Sequence, residues 1–291
     1  MTIRDGVLVT GITGHQGGAV ADSLLQHRIR VVGLTRDIKK ASAWKARGAE
    51  LVQGDLSDRK SLDRALETVD KVYLVTTPFE NGMEAEVLQG TTMIDAARDA
   101  DIRHLVFSSV VSADGGTGIP HFETKGRIEA HLKKSGVPFT IIRPAFFMEN
   151  FLSPWLLPGI QAGKVTMGVD PDCWLQMVSI RDIGEFVLAA FRTPDWYLRQ
   201  TIEIAGDTLT IPGALGLISE AIGHPIRYER LPDNRLEEAV GPDMARMYRW
   251  FNTVGYKVDI PELEKLWDIP MTLFHHFAFR TSWPLSTAKA A

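Results

Sequence analysis

Short apolar segments alternate with amphipathic segments along the first half of the chain. Six apolar stretches predict buried β-strands: VLVT, RVVGLT, ELVQGD, KVYLVTT, HLVFSSV and PFTIIRP. Apolar residues at helical spacing predict helices between them, at residues 16–27, 39–47, 61–69, 87–100 and 122–134. Strands that are apolar on both faces and alternate with helices are typical of parallel sheets with right-handed crossovers. The pattern therefore predicts an α/β fold with a doubly wound parallel sheet.

The pattern changes after Arg143 and Pro144. The stretch AFFMENFLSPWLLPGIQAGK is aromatic and interrupted by proline, unlike the preceding units. VSIRDIGEFVLAAF predicts a helix near residues 180–192 that returns to the first domain, whereas TIEIAGDTLT and PIRYERL are expected in a smaller cap. We therefore expect a nucleotide-binding domain over residues 1–150, completed by the returning helix, and a smaller α+β substrate region over residues 151–291.

Composition excludes several classes of protein. The formal net charge is -4 and no basic stripe is present, so nucleic acid is not an expected partner. Cys173 is the only cysteine, which rules out an internal disulfide and a cysteine-based zinc site and fits a reducing compartment. Neither a cleavable signal nor an apolar run of bilayer length is evident. The expectation is a cytoplasmic protein without a membrane partner or a bound metal.

A glycine turn follows the first predicted strand. In VLVTGITGHQGGAV, Gly11, Gly14 and Gly17 have the spacing G-x-x-G-x-x-G between a strand and a helix. Gly11 allows the tight turn, Gly14 allows the backbone to approach a pyrophosphate, and Gly17 allows the helix to pack closely on the strand. The helix N-terminus then supplies amide donors and a positive dipole end. This context predicts a dinucleotide site.

The end of the second strand, RVVGLTRDIKK, bears on which dinucleotide is bound. A carboxylate at this place favours the ribose 2′-hydroxyl of NAD, and an arginine favours the 2′-phosphate of NADP. Arg36 occupies the place and can contact a phosphate with two hydrogen bonds. NADP(H) is therefore the preferred cofactor, and NAD(H) stays an alternative if the side chain of Asp37 is the one that faces the ribose.

Several separated stretches together resemble one family. They are VTGITGHQGG, the Arg36 position, VQGDLSD, HLVFSSV, HFETKGRIEAHLKKSGVPFTIIRPAFFMENFL and MARMYRWFNTVGY. These stretches resemble the NmrA-like branch of the atypical short-chain dehydrogenases, which includes the human NmrA-like redox-sensor type and is related to phenylcoumaran benzylic ether and isoflavone reductases. The resemblance covers nearly the whole chain. It implies an NADP-binding Rossmann domain with a smaller C-terminal substrate domain.

The resemblance also implies roles for individual residues. It assigns Gly11, Thr13, Gly14, Gln16 and Gly17 to the phosphate loop, Arg36 to the 2′-phosphate, and Asp55 and Leu56 to the adenine side. It assigns Thr76, Thr77 and Pro78 to the nicotinamide ribose, with Ser108 and Pro144 nearby, and matches Lys125 to the helix lysine of the family. That lysine contacts the ribose in ordinary members and is catalytic in the benzylic ether and isoflavone reductases.

The chain departs from ordinary short-chain dehydrogenases where these have Tyr-x-x-x-Lys. Here the residues are His121 and Lys125, which share one face if a helix includes both. A neutral imidazole can still donate one hydrogen bond. Three interpretations stay open: His121 is the general acid and Lys125 orients the ribose; Lys125 alone donates a proton or anchors charge; or neither takes part in the chemistry.

A substrate that disperses the charge gained from hydride suits a site without the tyrosine. Quinones, quinone methides and conjugated enones have this property. Aromatic residues that follow the sixth strand offer an apolar slot for such a ring, and core packing is the alternative for at least half of them. The candidates for substrate binding are Phe146, Phe147, Phe151 and Trp155.

The sequence favours an NADPH-dependent reductase of a conjugated, quinonoid or polycyclic aromatic compound. One alternative is a regulatory protein that senses NADP(H) and binds a partner without reducing anything. A remote alternative is an apparent oxygenase, in which a reduced quinone reacts with oxygen unaided. The expected partner is a small aromatic or conjugated molecule, and a second copy of the chain is a further alternative.

Overall fold

The computed structural model describes residues 4–284, which form two compact units. The first unit extends to Pro144 and includes Ile180–Glu203. The second unit comprises Ala145–Ser179 and begins again at Ile204. Neither unit is one continuous stretch of sequence, because the chain leaves the first unit, returns to it and leaves again.

The strands and helices are numbered along the chain. The strands are β1 Val7–Val9, β2 Val31–Thr35, β3 Glu50–Gln53, β4 Lys71–Val75, β5 His104–Ser108, β6 Phe139–Pro144, β7 Phe146–Phe147, β8 Lys164–Met167, β9 Leu175–Val178, β10 Thr201–Ile204, β11 Asp207–Leu209 and β12 Arg227–Arg230. The helices are α1 His15–Gln26, α2 Ser42–Ala46, α3 Arg59–Leu66, α4 Met83–Asp99, α5 Pro120–Ser135, α6 Leu157–Gln161, α7 Ile180–Arg192, α8 Pro194–Tyr197, α9 Ile211–Ile222, α10 Asp233–Thr253, α11 Ile260–Trp267 and α12 Phe274–Arg280. A 3-10 turn, Met148–Leu152, precedes α6.

A seven-stranded sheet forms the centre of the first unit. Its strand order is β10-β6-β5-β4-β1-β2-β3. The strand β1 pairs in parallel with β2 and with β4. The strands β1, β2 and β5 are buried along their whole length, as their apolar sequences predict. The strand order reverses at β1 and β4, where open α/β sheets bind their ligands. The predicted Rossmann-type fold is confirmed.

The outer strand of this sheet was expected elsewhere. The sequence assigned TIEI, residues 201–204, to the smaller cap, but β10 lies beside β6 in the main sheet. The backbone N–H of Ile141 donates to the carbonyl of Gln200 at 2.9 Å. Burial alternates along β10, with Ile202 and Ile204 inside. Such alternation identifies a strand with one covered face and carries no information about which sheet it joins.

Two helices of the first unit begin at different residues from those predicted. The helix α2 begins at Ser42 rather than near Lys39, because the Asp37 carboxylate accepts from the amides of Lys39 and Lys40 at 2.9 and 3.3 Å and holds them in a turn. The helix α4 begins at Met83, because its N-cap Gly82 has a φ of 89° and turns the chain into the helix earlier.

The helix predicted near residues 180–192 is α7. It packs against α1 so closely that a Cβ at Gly184 would lie 2.9 Å from the carbonyl oxygen of Ala19. Apolar residues on its inner face are buried, among them Ile183 and Phe186, which are 0% exposed. The glycine thus allows two helices to share one side of the sheet.

The second unit contains two small sheets. One has the strand order β11-β9-β7, and the other pairs β12 with β8 in parallel. The helix α10 is kinked at Gly241 and Pro242, where Gly241 has a φ of 78°. Three apolar residues of α10, Met247, Tyr248 and Phe251, are buried. Val254 is the C-cap of the helix and is 50% exposed. None of the helices in residues 4–284 combines the length and apolar character that a membrane crossing needs.

Candidate functional site

The glycine turn after β1 has the geometry that its spacing suggests. Gly11 has a φ of 62°, which a residue with a side chain rarely adopts. A Cβ at Gly17 would lie 2.2 Å from the carbonyl oxygen of Gly11, so only glycine lets α1 approach the strand this closely. Gly14 is the N-cap of α1 in an extended conformation, and its N–H donates to the Gly11 carbonyl at 2.8 Å.

The start of α1 fits the pyrophosphate of a dinucleotide. No side chain caps the helix at Gly14, and the first turn contains no acidic residue. The amides of the first turn and the positive end of the helix dipole are therefore available to an anion. Thr13 and Gly14 are exposed beside this turn. This arrangement could hold the phosphates of NADP(H) or NAD(H).

Gln16 joins this turn to the ends of two strands. Its side-chain oxygen accepts from the Ser108 hydroxyl at 2.6 Å and from the Tyr73 hydroxyl at 3.4 Å. Tyr73 is fully buried in β4, and that burial raises its pKa, so its hydroxyl keeps the proton. Two predicted site residues, Gln16 and Ser108, are thus in contact. Tyr73 supports them and was not among the candidates.

Arg36 lies at the end of β2 with an exposed guanidinium. It forms an ion pair with Glu80 at 2.8 Å. The neighbouring Asp37 directs its carboxylate to the amides of Lys39 and Lys40, so that carboxylate serves as a local cap. The Asp37 carboxylate, which would bind the ribose hydroxyl of NAD, is therefore occupied by these amides. The exposed Arg36 guanidinium can exchange the Glu80 carboxylate for a phosphate. This geometry favours a 2′-phosphate.

The two residues predicted on the adenine side follow β3. The Asp55 carboxylate accepts from the backbone N–H of Ser57 at 2.8 Å and from its hydroxyl. These hydrogen bonds, with a contribution from the charge of Arg36, lower the pKa of Asp55. Leu56 is half-buried against the core of the sheet. The carboxylate is therefore occupied in shaping the loop.

Lys125 is buried in α5 and contacts the chain just beyond β4. Its ammonium donates to the carbonyl oxygen of Thr76 at 2.6 Å and to the Thr76 hydroxyl at 3.0 Å. It also forms an ion pair with Glu86 of α4 at 2.9 Å. The Glu86 carboxylate accepts from the hydroxyls of Thr76 at 2.9 Å and Thr124 at 2.5 Å. We call these four residues, Thr76, Glu86, Thr124 and Lys125, the Lys125 cluster.

His121 lies in the first turn of the same helix and is half-buried. Its ring contacts Phe122 edge-on, with centroids 4.8 Å apart, and tilts toward Phe79 at 5.8 Å. Phe79 follows Thr77 and Pro78, and it is 66% exposed. The sequence did not suggest Phe79 as a site residue. It gives the loop after β4 an apolar surface next to the imidazole.

A second buried ion pair lies under the loop after β5. The Arg143 guanidinium donates to both oxygens of Glu129, at 2.8 and 2.7 Å, and to Asp114 at 2.8 Å. Glu129 also accepts from the Ser109 hydroxyl at 2.6 Å. These groups join α5 and β6 to the loop that follows Ser108, and Pro144 accepts from the backbone N–H of Val111 at 3.1 Å. The network therefore orders the loop after Ser108 and joins it to Pro144.

The four predicted substrate residues belong to the second unit. Phe151 is fully buried and packs on Phe146 and Phe274, with ring centroids 6.2 and 5.4 Å apart. Phe146 is 8% exposed, Phe147 is half-buried, and Trp155 is 78% exposed. Phe146 and Phe151 are therefore core residues, which was the alternative to substrate binding. Phe147 and Trp155 have surface that a ligand could contact, and their role stays a prediction.

Glu86 contacts a predicted site residue, Lys125, and was not itself predicted from the sequence. It shares the buried face of α4 with Gly90, Met93 and Ala97, at spacings of four, three and four residues. A carboxylate within an apolar stripe needs a partner, because a buried charge is costly unless it is paired. That signal was available in the sequence. The identity of the partner was not, since Lys125 lies on another helix.

Comparisons with known proteins identify the family of the chain. The profile of the NmrA-like family matches residues 4–277. A (4-alkanoyl-5-oxo-2,5-dihydrofuran-3-yl)methyl phosphate reductase of Streptomyces griseus is 33% identical over 229 residues, which cover 77% of each chain. An NAD(P)H azoreductase of Xenophilus azovorans is 28% identical over 80% of each chain. The structure of an NADPH-dependent quinone oxidoreductase of Escherichia coli, complexed with NADPH, is similar with a TM-score of 0.78 at 24% identity, covering 94% of this chain and 99% of the other.

Proposed function

The chain belongs to the NmrA-like family, and on that premise we propose that it is an NADPH-dependent reductase of conjugated or quinonoid small molecules. The observation that carries the proposal is the phosphate turn at Gly11–Gly17 together with the exposed Arg36. The turn offers uncapped helix amides for a pyrophosphate, and Arg36 offers a guanidinium for a 2′-phosphate.

NADPH supplies a hydride when it is bound, and one proton completes the reduction of the acceptor. The residues that would hold it are those of the glycine turn, Arg36 at the 2′-phosphate, and Thr76 with Ser108 at the nicotinamide end. The Glu80 carboxylate now pairs with Arg36 at 2.8 Å, so a 2′-phosphate would take its place as the counter-ion. The Streptomyces and Xenophilus relatives are both reductases, which supports this assignment.

The site and the relatives support a conjugated acceptor as the substrate. The residue at the usual tyrosine position is His121, so a substrate that disperses negative charge suits the site best. The substrate of the Streptomyces relative is a 5-oxo-2,5-dihydrofuran with an alkanoyl group, and the other relative reduces azo compounds. Both acceptors have a double bond conjugated with electron-withdrawing or aromatic groups. Phe79 beside His121 offers an apolar face for such a molecule.

His121 is the proton donor in this proposal. It lies in the first turn of α5, next to the loop that carries Thr77 and Pro78. An imidazole can donate a hydrogen bond in its neutral form. Replacement by asparagine, which keeps an N–H donor but is a far weaker acid, is expected to lower the rate by about tenfold.

The proposal is tested by binding first and turnover second. Calorimetry with NADPH and NADH on the wild type and on Arg36→Ala measures the cofactor preference. We expect NADPH to bind the wild type more tightly by about tenfold or more, and Arg36→Ala to lose that preference. The loss of NADPH absorbance is then followed with a panel of quinones, conjugated enones and azo compounds.

Substrate-dependent oxidation of NADPH supports the reductase. Tight NADPH binding without oxidation by any compound in the panel contradicts it and leaves a nucleotide-sensing protein. Oxygen uptake, recorded in the same assays, distinguishes direct reduction from a reduced product that reacts with oxygen. Uptake that follows both the substrate and NADPH would identify the second case.

A further inference from the structure

The Lys125 cluster is buried behind the end of β4. Lys125 is 9% exposed, and Glu86, Thr124 and Thr76 are 0%, 3% and 6% exposed. The cluster joins the first turn of α4 and the second turn of α5 to the residue that follows β4. All of its members lie in the first unit. None of the predicted roles of Lys125 took account of Glu86.

The ammonium of Lys125 is directed at Thr76 and Glu86. It donates to the Thr76 carbonyl at 2.6 Å and to the Thr76 hydroxyl at 3.0 Å, and its charge is paired with Glu86 at 2.9 Å. The Thr76 hydroxyl accepts from Lys125 and donates to Glu86. A substrate oxygen at Lys125 would therefore compete with groups that are already buried and paired with it.

The Glu86 carboxylate also cancels the charge that a catalytic lysine would contribute. An ammonium stabilises a developing oxyanion through its field, and a carboxylate at 2.9 Å opposes that field. The buried carboxylate is itself satisfied, since it pairs with Lys125 and accepts from the hydroxyls of Thr76 and Thr124. Lys125 and Glu86 therefore form a buried ion pair without net charge, which lies beneath the loop that carries Thr77 and Pro78.

We propose that Lys125 and Glu86 are positioning residues, which fix the Thr76 main chain at the cofactor site, and that Lys125 does not donate the proton. The proposal rests on the proposed function. Lys125 holds the carbonyl and the hydroxyl of Thr76, and Glu86 holds Lys125. The end of β4 is thereby fixed where the nicotinamide ribose is expected. The proton of the reduction then comes from His121, in accordance with the proposed function.

A pair of variants separates positioning from proton donation. Lys125→Met removes the ammonium and leaves the Glu86 carboxylate buried without a cation. The double variant Lys125→Met/Glu86→Gln removes both charges with little change in volume, and the new amide can still hydrogen-bond to the two threonine hydroxyls. Calorimetry measures the NADPH Kd, thermal unfolding measures the Tm, and steady-state kinetics separate kcat from KM with the best acceptor of the panel.

The positioning role predicts that the double variant recovers stability but not NADPH affinity. Lys125→Met is expected to weaken NADPH binding by about tenfold or more, because Thr76 loses two hydrogen bonds, and to lower the Tm, because Glu86 keeps a buried charge without a cation. The double variant is expected to recover the Tm, to keep the weakened NADPH binding, and to have a kcat at saturating NADPH within about tenfold of the wild type. If the single variant does not fold, the double variant and the wild type decide the question.

Two outcomes contradict the proposal. A double variant that folds but has a kcat at saturating NADPH more than about a hundredfold below the wild type would make Lys125 the proton donor. A double variant that binds NADPH as tightly as the wild type would show that Lys125 does not position Thr76 for the cofactor. Because Kd and Tm are measured without turnover, a wild type that oxidises no NADPH contradicts only the proposed function.

Discussion

His104 is a buried histidine at the start of β5, far along the strand from Ser108. It is 2% exposed, and its Nε2 donates to the Thr140 hydroxyl at 2.8 Å. The direction follows from Thr140, whose hydroxyl gives its proton to the Tyr197 carbonyl at 2.7 Å. The Nδ1 atom has no hydrogen-bond partner among residues 4–284. Burial, with a contribution from the charge of Lys71, lowers the pKa of His104 to about 4.

This histidine makes the stability of the protein depend on pH. The folded pKa is below that of the unfolded chain, so between about pH 6.5 and pH 4 the unfolded state binds a proton that the folded state excludes. The free energy of unfolding therefore falls as the pH is lowered, by about 2 kcal/mol at pH 5 from this residue alone. Urea unfolding of the wild type and of His104→Gln at pH 7, 6 and 5 measures the effect.

His104→Gln is the matched control because its amide can replace the Nε2–H donor and does not titrate. The difference in unfolding free energy between wild type and variant should shift in favour of the variant as the pH falls. Other titrating groups are common to both proteins and cancel. A difference that stays constant from pH 7 to pH 5 would show that His104 gains no proton in the unfolded state over this range or is already charged in the folded one.

Substitution by alanine is expected to have different effects at Gly14 and at Gly17. At Gly17 the added Cβ would lie 2.2 Å from a backbone oxygen, so Gly17→Ala should unfold the turn or destabilise the protein by about 3 kcal/mol or more. At Gly14 the nearest atom is at 3.3 Å and the backbone is extended, so Gly14→Ala should fold. Its methyl group stands where a phosphate would approach, and the NADPH Kd should rise by about tenfold. Thermal unfolding and calorimetry check both variants.

The site residues were predictable where their role follows from the local chain. Gly11 and Gly17 have backbone requirements that their spacing in the sequence expresses directly, and the structure gives a physical reason for each. The pairings of Arg36 with Glu80 and of Lys125 with Glu86 join residues that are far apart in sequence. No local pattern specifies such a pair, because it depends on how the helices pack on the sheet.

At the scale of elements, the packing of α4 on α5 depends on one small residue. A Cβ at Gly90 would lie 2.7 Å from the Cδ1 atom of Ile128, with two further atoms of that side chain at 2.9 Å. These helices carry the two halves of the buried ion pair, Glu86 and Lys125, so their separation sets the geometry of the cluster. Gly90 is thus a spacer for the site as well as for the core.

Gly90→Ala should therefore destabilise the protein although alanine is the better helix former. Overpacking against Ile128 is expected to cost about 1–3 kcal/mol in the free energy of unfolding. Gly216→Ala is the matched control, since Gly216 is exposed within α9 and no atom lies within 4 Å of an added Cβ. That variant should gain about 0.5–1 kcal/mol. Urea unfolding measures the free energy of unfolding of both variants. Equal changes at the two positions would argue against close helix packing at Gly90.

The sequence predicts which strands and helices form more accurately than it predicts where they end or which strands they pair with. All six predicted strands of the first half are present, and the returning helix is present as α7. The start of α2 was misplaced because a side chain, Asp37, captured two backbone amides. The strand β10 was placed in the wrong region because a strand of four residues carries too little information to choose its sheet. The errors at α2 and β10 both arise because a side-chain contact or a tertiary contact, rather than the periodicity of the sequence, determines the structure there.

At the scale of the whole molecule, the first unit is assembled from two separate segments. A fragment that ends at residue 150 contains the glycine turn, Arg36 and Lys125, but it lacks α7 and β10. The apolar side of α1 that α7 covers would face water, and β6 would lose its outer neighbour. We expect this fragment to show no cooperative thermal unfolding and no NADPH binding by calorimetry. A cooperative transition together with NADPH binding would show that residues 1–150 fold as an independent domain.

The late position of β10 in the chain also matters during synthesis. β6, with the sequence FTIIRP, leaves the ribosome well before β10, and the chain between them belongs largely to the second unit. At about 5–20 residues per second, the outer edge of β6 stays without a partner for several seconds. An apolar strand with unpaired backbone groups readily pairs with another chain. The order of the strands thus creates an interval in which the edge of β6 is exposed to other chains, and that interval ends when β10 closes the sheet.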